Sequence, residues 1–565
     1  MPLLLRPALV VAVVVVGVAA GARRGYRGHV AHFIANPFDC QGDPDQCDLD
    51  AVQYFPDGML VVDSGKVVAV GEYVPLKRQF PDADIVEFDD DHLITPGFVD
   101  CHTHAPQIDM IASYGDSLQD WLMEYTFFSE AKYQAAQFAA SSSRRFFNQL
   151  VRSGTTSAFI FNAMFEEAAS AVLEEGERRN MRIISGITGM ANCQAAVNFT
   201  DINGHNVPMC NSMRFDDKDG SRAATVIERS VRRLHSRFSG SRRLMLALVP
   251  RFLTTETPAS MEMWERLVEE FPDMRFHTHL AENLEVAVAS VHDFKKMALD
   301  RYGPGSREYH QIDAYVTQTE IWNHYGLLTP RTSFAHTIHL TPRDYELLRR
   351  TQSTVCHCPT SNLFLGSGLF NMGEAVAQDV EFGVGTDVGA GTSFELLATM
   401  GEAYKVALSN EYEFANDPQD VSHPFNGNWS LPREYFIPGK TSYRLSPLKQ
   451  LYLLTLGTAS QLRLDSFVGN FATGKEADFV VLDLASSPIL RRRLDVLRRR
   501  EPHAAEDVAY IANALFGAMT VANDRTVRQT YVAGELAYDR EENYFSNLDD
   551  DYQAGFRPAV HVAVR

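Results

Sequence analysis

The sequence predicts an α/β fold, a (β/α)8 barrel of the TIM type with a small β domain built from both chain ends. Three observations lead to this prediction. Between residues 98 and 385, eight short apolar runs alternate with stretches of helical periodicity. Strand-like segments separated by turns flank this region on both sides. Histidines and carboxylates follow several of the apolar runs, and barrels of this type carry their active sites at the carboxyl ends of the strands.

Composition limits the class of protein. The chain has 565 residues, of which 45% are hydrophobic and 22% charged, as is usual for a globular protein. Its 35 Phe and 21 Tyr require burial, which excludes disorder as the main state. With 52 basic and 72 acidic residues the formal net charge is −20. An acidic balance argues against nucleic acid as a partner, because phosphate backbones select clustered Lys and Arg.

The barrel prediction depends on eight apolar segments and the helices between them. Two of the expected helices, at 259–270 and 342–350, carry apolar residues at helical spacing. The expected strands are 98–100, 157–161, 182–187, 244–249, 275–279, 332–336, 353–357 and 382–385.

The domain boundaries follow from the same patterns. A hairpin around Asp63-Ser-Gly65 and strand-like runs at 478–483 and 527–537 predict that the two flanks pair with each other. We therefore expect a composite β domain from residues 25–95 and 465–545, a barrel at 96–464 with an inserted loop at 410–441, and a C-terminal tail at 546–565. The Arg clusters at 491–493 and 498–500 are expected on a solvated helix face.

Residues 1–24 are excluded from the fold prediction. Their apolar run is shorter than the roughly 20 residues of a membrane-spanning helix and is more typical of a secretory signal. We expect a cytoplasmic protein, with the secretory pathway as the alternative and membrane contact only if this segment is retained. In the secretory alternative, Asn198 and Asn428 would be glycosylation acceptors.

The cysteines do not form a recognisable disulfide or zinc-binding pattern. Seven of them are scattered along a long chain, and no second pair accompanies Cys356 and Cys358. They are expected to be ordinary reduced thiols. They are Cys40, Cys47, Cys101, Cys193, Cys210, Cys356 and Cys358.

The residues at the strand ends predict a metal centre. Histidines two residues apart on a strand point to the same side, so His102 and His104 can bind one ion. His279 after the fifth strand and Asp387 after the eighth would complete a nitrogen-rich set with one carboxylate. Such a set with an open position suits catalytic Zn²⁺, with Fe²⁺ as the alternative. Zinc lowers the pKa of a bound water to about 7, and Glu282 is within reach to move its proton.

Several of these segments carry a family resemblance. His102-Thr-His104-Ala-Pro-Gln107, Tyr125-Thr-Phe127, Pro250-Arg-Phe252, His279-Leu-Ala-Glu282 and Thr386-Asp387 stand in an order that resembles the amidohydrolase superfamily. Within it, they are most similar to the enzymes that deaminate guanine. The wider segments are 96–107, 121–127, 249–252, 279–283, 335–336, 356–363, 367–368 and 385–393.

The resemblance implies roles for individual residues. The expected metal ligands for one zinc per subunit are His102, His104, His279, His336 and Asp387. The expected catalytic residues are Glu282, Asp387 and His336. The expected substrate-binding residues are His104, Ala105, Pro106, Gln107, Arg251, Phe252, His279, Glu282 and Asp387. The resemblance also implies a homodimer.

The implied reaction is hydrolytic deamination of guanine to xanthine and ammonia, by attack of metal-bound hydroxide at C2. Gln107 offers a donor and an acceptor for a purine edge, Arg251 can donate to O6 or N7, and Phe252 offers a ring face. One departure concerns the motif after Phe127, where the family usually has proline and this chain has Phe128-Ser129 before Glu130. That change is expected to alter the loop that shapes the pocket.

Two alternatives stay open at this stage. The chain could be another aminohydrolase of the superfamily, acting on a different purine, a pterin or a triazine. It could also be a non-catalytic scaffold, although such proteins commonly lose metal ligands and here every ligand position is filled.

Overall fold

The computed structural model describes residues 23–192, 199–200, 206–207, 217, 219–409, 443–500, 507–521, 523–542 and 544–545. The apolar segment up to residue 22, the inserted loop at 410–441, the tail at 546–565, the acceptor residues Asn198 and Asn428, and the cysteines Cys193 and Cys210 lie outside the described residues.

The strands form a parallel barrel and a separate mixed sheet, with a two-strand ribbon between β9 and β12. In chain order the strands are β1 (Arg24–Phe33), β2 (Val52–Asp63), β3 (Lys66–Glu72), β4 (Asp84–Glu87), β5 (His92–Pro96), β6 (Phe98–His104), β7 (Thr155–Phe161), β8 (Arg182–Ser185), β9 (Thr188–Gly189), β10 (Phe199–Thr200), β11 (Asn206–Val207), β12 (Leu244–Pro250), β13 (Arg275–Leu280), β14 (Thr332–His336), β15 (Thr354–His357), β16 (Phe382–Val384), β17 (Phe479–Asp483), β18 (Val527–Val532), β19 (Glu535–Asp539) and β20 (Tyr544–Phe545).

The barrel confirms the predicted fold class. Eight parallel strands pair in the order β6-β7-β8-β12-β13-β14-β15-β16. Residues just beyond β16 close the ring, because the Asp387 amide donates to the His102 carbonyl and the His104 amide to the Val388 carbonyl, both at 2.8 Å. Inward side chains fill the interior, as in other barrels of this type. They include Val99, Phe159, Phe161, Ile184, Ala247, Val249 and Ala335.

Two barrel strands show the differences from their predicted bounds that matter most for the site. The first strand, β6, extends to His104, so the histidine pair lies within the strand and not after it. The predicted third strand is split into β8 and β9. Gly186 stands at the break, where a Cβ atom would lie 2.1 Å from the carbonyl oxygen of Ala247. Only glycine allows the backbones to approach this closely.

The second sheet joins strands from both flanks of the barrel. Its order is β20-β19-β18-β17-β5-β1-β2-β3, and β4 also pairs with β1. The contact between the flanks is the antiparallel pair of β17 and β5. The predicted hairpin between β2 and β3 is present, with its turn at Ser64 and Gly65. This sheet buries its own apolar cluster, including Tyr26, Leu60, Ile94 and Phe479.

Helices cover the barrel, and several begin where the sequence supplies a cap. Thr257 and Thr341 each precede a proline and accept a hydrogen bond from the third helical amide, which satisfies a free donor at the helix start. The helices are α1 (Pro44–Ala51), α2 (Tyr73–Gln79), α3 (Leu118–Trp121), α4 (Phe127–Ala131), α5 (Ala136–Arg152), α6 (Glu166–Arg178), α7 (Ser221–Phe238), α8 (Pro258–Glu270), α9 (Leu284–Tyr302), α10 (Arg307–Asp313), α11 (Gln318–His324), α12 (Pro342–Thr351), α13 (Pro359–Phe364), α14 (Met372–Ala377), α15 (Leu396–Ser409), α16 (Pro447–Tyr452), α17 (Thr458–Gln461), α18 (Pro488–Arg500) and α19 (Val508–Thr520).

The expectation that the cysteines are reduced thiols is wrong for four of them. Cys40 is bonded to Cys47, and Cys101 on β6 to Cys356 on β15. The second pair is 255 residues apart in sequence, but both side chains point into the barrel and their Cα atoms are 5.9 Å apart. Cys358 is a buried free thiol. Sequence spacing gives no sign of a pairing that only barrel closure creates.

Among the described residues, no helix combines the length and the apolar character needed to span a bilayer.

Candidate metal centre and substrate cavity

The barrel brings the predicted metal ligands together at the carboxyl ends of its strands. His102 and His104 end β6, His279 stands one residue before the end of β13, and His336 ends β14. Asp387 follows β16. Parallel strands in a closed ring have all their carboxyl ends on one face, so residues nearly 290 positions apart in sequence can meet.

The ligand atoms form one compact cluster. Nitrogens of His102, His279 and His336 and a carboxylate oxygen of Asp387 all lie within 4.8 Å of one another. The fifth predicted ligand, His104, also faces this cluster. Its Nε2 lies 3.2 Å from His102 Nε2, 3.3 Å from His279 Nε2 and 3.2 Å from Asp387 Oδ1. The distances thus bring together all five residues that the sequence singled out.

A second layer of hydrogen bonds orients three of the imidazoles. His279 Nδ1 lies 2.6 Å from the Arg251 carbonyl, and His336 Nδ1 lies 2.8 Å from Asn362 Oδ1. His102 Nδ1 lies 2.8 Å from His277 Nε2, and His277 Nδ1 in turn lies 2.8 Å from the Ser333 carbonyl. A carbonyl oxygen accepts a hydrogen bond, so Nδ1 of His277, His279 and His336 carries the proton, and the free Nε2 of His277 accepts from His102 Nδ1. The Nε2 atoms of His102, His279 and His336 therefore keep their lone pairs for the centre.

The electrostatics of the cluster suit a cation. Burial lowers the pKa of His102 to about 3, and it lowers the pKa values of His104 and His279. These imidazoles are therefore neutral at pH 7 and able to act as ligands. Burial alone raises the pKa of Asp387, but the neighbouring His102 and His104 hold it well below its usual range.

The group that fits between these residues is a metal ion. His336 Nε2 is buried and has no hydrogen-bond partner, although it faces the centre. Neutral imidazole nitrogens 3.2 to 3.3 Å apart also face each other in pairs, with a carboxylate beside them. The Nε2 lone pairs of His102, His279 and His336 converge on the centre, where a shared cation would satisfy them. A set of imidazoles with one carboxylate is typical of metal sites with nitrogen and oxygen ligands.

Two of the ligands have backbone conformations that are unusual for their residue type. His336 has φ 69° and Asp387 has φ 50°, both in the left-handed region. A non-glycine residue is held in this region only when its surroundings fix it, and such residues concentrate at functional sites. Here the left-handed turns redirect the chain directly at the ends of the strands.

Sequence reasoning did not identify several residues that support the ligands. Asp100 accepts hydrogen bonds from the amides of His102 and Thr386 and from the Thr386 hydroxyl, the last at 2.6 Å. It thereby connects the first and last barrel strands beneath the centre. His277 lies in the predicted fifth strand and Asn362 in a segment of the family resemblance, and the sequence assigns neither of them a role. Their contacts span up to 286 residues, so no local pattern shows them.

Glu282 lies beside the metal cluster. One of its carboxylate oxygens is 3.7 Å from His336 Nε2. Burial raises the pKa of Glu282, and the nearby charge of Asp387 adds to the effect, although His336 opposes it. A raised pKa favours uptake of a proton by this carboxyl group, which a proton shuttle requires.

A cavity of about 340 Å³ opens onto the cluster. This volume lies within the usual range for small-molecule sites. The predicted substrate residues that line it are His104, Gln107, Arg251, Phe252, His279, Glu282 and Asp387. Ala105 and Pro106 are not among the lining residues. Further residues that sequence reasoning did not name include Trp121, Phe127, Met190, Asn192 and Gln318.

The motif that departs from the family pattern keeps a helical backbone. Phe128 and Ser129 lie in the short helix α4, and the Phe128 side chain is 43% exposed. The Ser129 hydroxyl donates to the carbonyl of Pro106 at 2.7 Å, which fixes α4 against the turn that carries Gln107. Glu130 stays buried beside the cavity. The replacement of the proline therefore leaves the buried face of this segment attached to the pocket.

A (β/α)8 barrel with a buried His/Asp cluster at the carboxyl ends of its strands is typical of metal-binding barrel proteins. The chain belongs to the amidohydrolase family, whose profile matches residues 93–423 and 430–537. It is 34% identical over 490 residues to the guanine deaminase of Escherichia coli, covering 87% of this chain and 93% of that protein. The solved structure of the Escherichia coli enzyme has a TM-score of 0.72 at 32% identity and covers 92% of this chain and 99% of that one. Guanine deaminase from Bradyrhizobium japonicum gives a TM-score of 0.73 at 27% identity, covering 92% and 100% of the two chains.

Proposed function

We propose that this protein is a guanine deaminase, a hydrolase that converts guanine and water to xanthine and ammonia. One observation carries the proposal. A cavity lined by Gln107, Arg251 and Phe252 opens onto the His/Asp cluster and Glu282, so recognition groups and reacting groups share one space. The guanine deaminases from Escherichia coli and Bradyrhizobium japonicum match over nearly their whole lengths, which supports the same activity here.

The cofactor we propose is one Zn²⁺, held by His102, His279, His336 and Asp387, with His104 as a further ligand. Zinc supplies a Lewis acid that makes water nucleophilic near neutral pH. The chain's own contribution is to present neutral imidazoles, with their protons fixed on Nδ1, around one ionised carboxylate.

Glu282 moves the protons of the reaction. It accepts one proton from the attacking water and delivers it to a ring nitrogen of the purine. It then carries the remaining proton of the added oxygen to the amino group, which leaves as ammonia. Burial raises the pKa of Glu282, which favours its acceptance of the proton. His336 Nε2 lies 3.7 Å from a carboxylate oxygen of Glu282 and 3.7 Å from one of Asp387, so the proton carrier lies directly beside the proposed ligands.

The cavity residues orient the purine. The amide of Gln107 provides a donor and an acceptor, and Arg251 provides donors toward ring oxygen or nitrogen. The Phe252 ring lies 6.2 Å from that of His279, near the metal cluster, and offers an apolar face to the base. Together they place C2 and its amino group toward the cluster.

The experiment that tests the function is guanine turnover by the purified full-length protein with zinc. Xanthine is followed by its ultraviolet spectrum and ammonia is measured separately. We expect conversion by the wild type and a fall of about 10²- to 10⁴-fold in the Glu282→Gln variant, with zinc content unchanged. A folded, zinc-loaded wild type that leaves guanine intact would overturn the substrate assignment, and a pterin or triazine would then be the next candidate.

Homodimer formation and a cytoplasmic location remain predictions. Persistent disulfides are rare in the cytoplasm of mesophiles, so the two cysteine pairs bear directly on the location. Sedimentation of the purified protein tests the first prediction, and localisation of a tagged full-length chain tests the second.

A further inference from the structure

We propose that Glu130 is a positioning residue that sets substrate selectivity by holding Gln107 and Arg251 in one arrangement. This inference rests on the proposed function and names a determinant of its specificity. Glu130 is buried on α4, and each of its carboxylate oxygens accepts one hydrogen bond. Gln107 Nε2 donates to one oxygen at 3.2 Å, and Arg251 Nη1 donates to the other at 2.6 Å. One carboxylate thus connects the two polar groups that face the purine.

Glu130 fixes the direction of the Gln107 amide. A carboxylate only accepts hydrogen bonds, so the NH₂ end of the amide must face Glu130. The other end, Oε1, accepts from the Gly389 amide at 3.1 Å. The reversed amide would direct oxygen at a carboxylate and NH₂ at an N–H group. In the fixed orientation, Gln107 keeps one N–H and one lone pair for a ligand.

Glu130 also neutralises Arg251 and leaves donors free. Nη1 is paired with Glu130, whereas Nε is buried without a partner, and Arg251 lines the cavity. The guanidinium lies 5.1 Å from the centre of the Phe127 ring, which restricts its plane. The pair of Glu130 and Arg251 has no net charge and presents donors, so it suits an uncharged ring with acceptor atoms. The exocyclic oxygen of guanine meets this requirement, whereas the amino group of adenine would place donors against donors.

The segment that carries Glu130 is attached to the turn that carries Gln107. The Ser129 hydroxyl donates to the Pro106 carbonyl at 2.7 Å, and the Tyr133 hydroxyl donates to the Ala105 carbonyl at 2.9 Å. Ser129, Glu130 and Tyr133 therefore contact three consecutive residues that end at Gln107. This contact gives Glu130 a fixed position from which to orient the amide.

The test is steady-state kinetics of the zinc-loaded Glu130→Gln variant on guanine and adenine. Gln at this position has the same shape, but its NH₂ group must face either the Gln107 donor or the Arg251 donor. We expect kcat/KM for guanine to fall about 10- to 100-fold, mainly through KM, with zinc content unchanged. The preference for guanine over adenine should shrink. Glu130→Asp, which keeps the charge but is one methylene shorter, should fall between this variant and the wild type.

Glu256→Gln is the matched control. Glu256 is also buried, but it accepts from Ser260, Trp264 and, at 3.5 Å, from the Thr255 hydroxyl, and from neither Gln107 nor Arg251. This variant should keep wild-type KM and selectivity. If Glu130→Gln behaves like the control, the positioning role is wrong.

A double-mutant cycle distinguishes positioning from a general loss of structure. If Glu130 acts through Gln107, adding Glu130→Gln to Gln107→Ala should have less effect than adding it to the wild type. Fully additive effects would overturn the proposal, even where Glu130→Gln weakens the fold. A wild type without guanine turnover would refute the function instead, and guanine affinity measured by calorimetry on the same variants would then decide the role of Glu130.

Discussion

At the scale of single residues, buried carboxyl groups in this barrel divide into two kinds. Asp387 and Glu130 face imidazole or guanidinium groups. Glu256 has no cationic partner and accepts from the Ser260 hydroxyl at 2.7 Å and the Trp264 ring nitrogen at 2.8 Å. Burial raises the pKa of Glu256 to about 8, against the effect of these hydrogen bonds. Asp387 and Glu130 lie at the cavity with cationic or imidazole partners, whereas burial favours the neutral acid form of Glu256.

The raised pKa of Glu256 predicts a pH-dependent stability. The pKa of Glu256 is about 8 in the folded state, against 4.5 for an ordinary Glu side chain. Its contribution to stability is therefore complete below pH 4.5 and is lost as the pH rises toward 8. Glu256→Gln removes this titration. Relative to the variant, the wild type should lose up to about 1.4 kcal/mol per pH unit within this window. Melting temperatures of both proteins at pH 5.5, 7 and 8.5 measure the effect, and a constant difference would contradict it.

At the scale of secondary-structure elements, the bonded cysteines connect parts of the chain that the sequence separates. Cys101 and Cys356 join β6 to β15 inside the barrel, one residue from His102 and one from His357. Cys40 and Cys47 connect the loop after β1 to α1. The first bond closes a very long loop, which in the chain-entropy view restricts the unfolded state strongly.

Thiol mapping tests this arrangement. Alkylation of the denatured, unreduced protein should label Cys358 and leave Cys40, Cys47, Cys101 and Cys356 unlabelled until a reductant is added. Replacing both Cys101 and Cys356 by alanine should lower the free energy of unfolding by about 2–5 kcal/mol. Equal labelling before and after reduction would show that the four sulfurs are thiols in solution.

At the scale of the whole molecule, buried ion pairs connect the barrel to the second sheet, which joins strands from both flanks of the barrel. Arg182 on β8 donates to Glu476 at 2.8 Å, and Arg243, just before β12, pairs with Asp478, just before β17. Glu476 also lies 3.4 Å from Arg243, so the four residues form one network. Their side chains are all less than a tenth exposed. Charges this deep are tolerated only when each has its partner.

Loss of one member should therefore destabilise the whole chain. Glu476→Ala leaves Arg182 buried without its carboxylate and should lower the free energy of unfolding by about 3–5 kcal/mol. The exposed pair of Arg233 and Glu166 provides the control, since Glu166→Ala should change stability by no more than about 1 kcal/mol. Denaturant unfolding of both variants gives the comparison. Equal losses would mean that the buried network adds nothing beyond a surface ion pair.

The sequence by itself determined the fold class and predicted a set of metal ligands. Hydrophobic runs of strand length recur eight times, and a local pattern of this kind can be recognised without knowledge of the packing. His102, His104, His279 and Asp387 were predicted as ligands because they lie at or shortly beyond the ends of such runs, and His336 was predicted from the family resemblance. Helix starts at Thr257 and Thr341 were also set by residues next to each other in the chain.

Only the tertiary structure decided how distant residues pair. The Cys101–Cys356 bond, the contact of Asp100 with Thr386 and the bridge from Gln107 through Glu130 to Arg251 all join segments from different strands or loops. Such contacts depend on the register and closure of the barrel, and neither is encoded in any short stretch of sequence. The sequence therefore specified which groups can perform the chemistry, while barrel closure decided their distances, protonation states and partners.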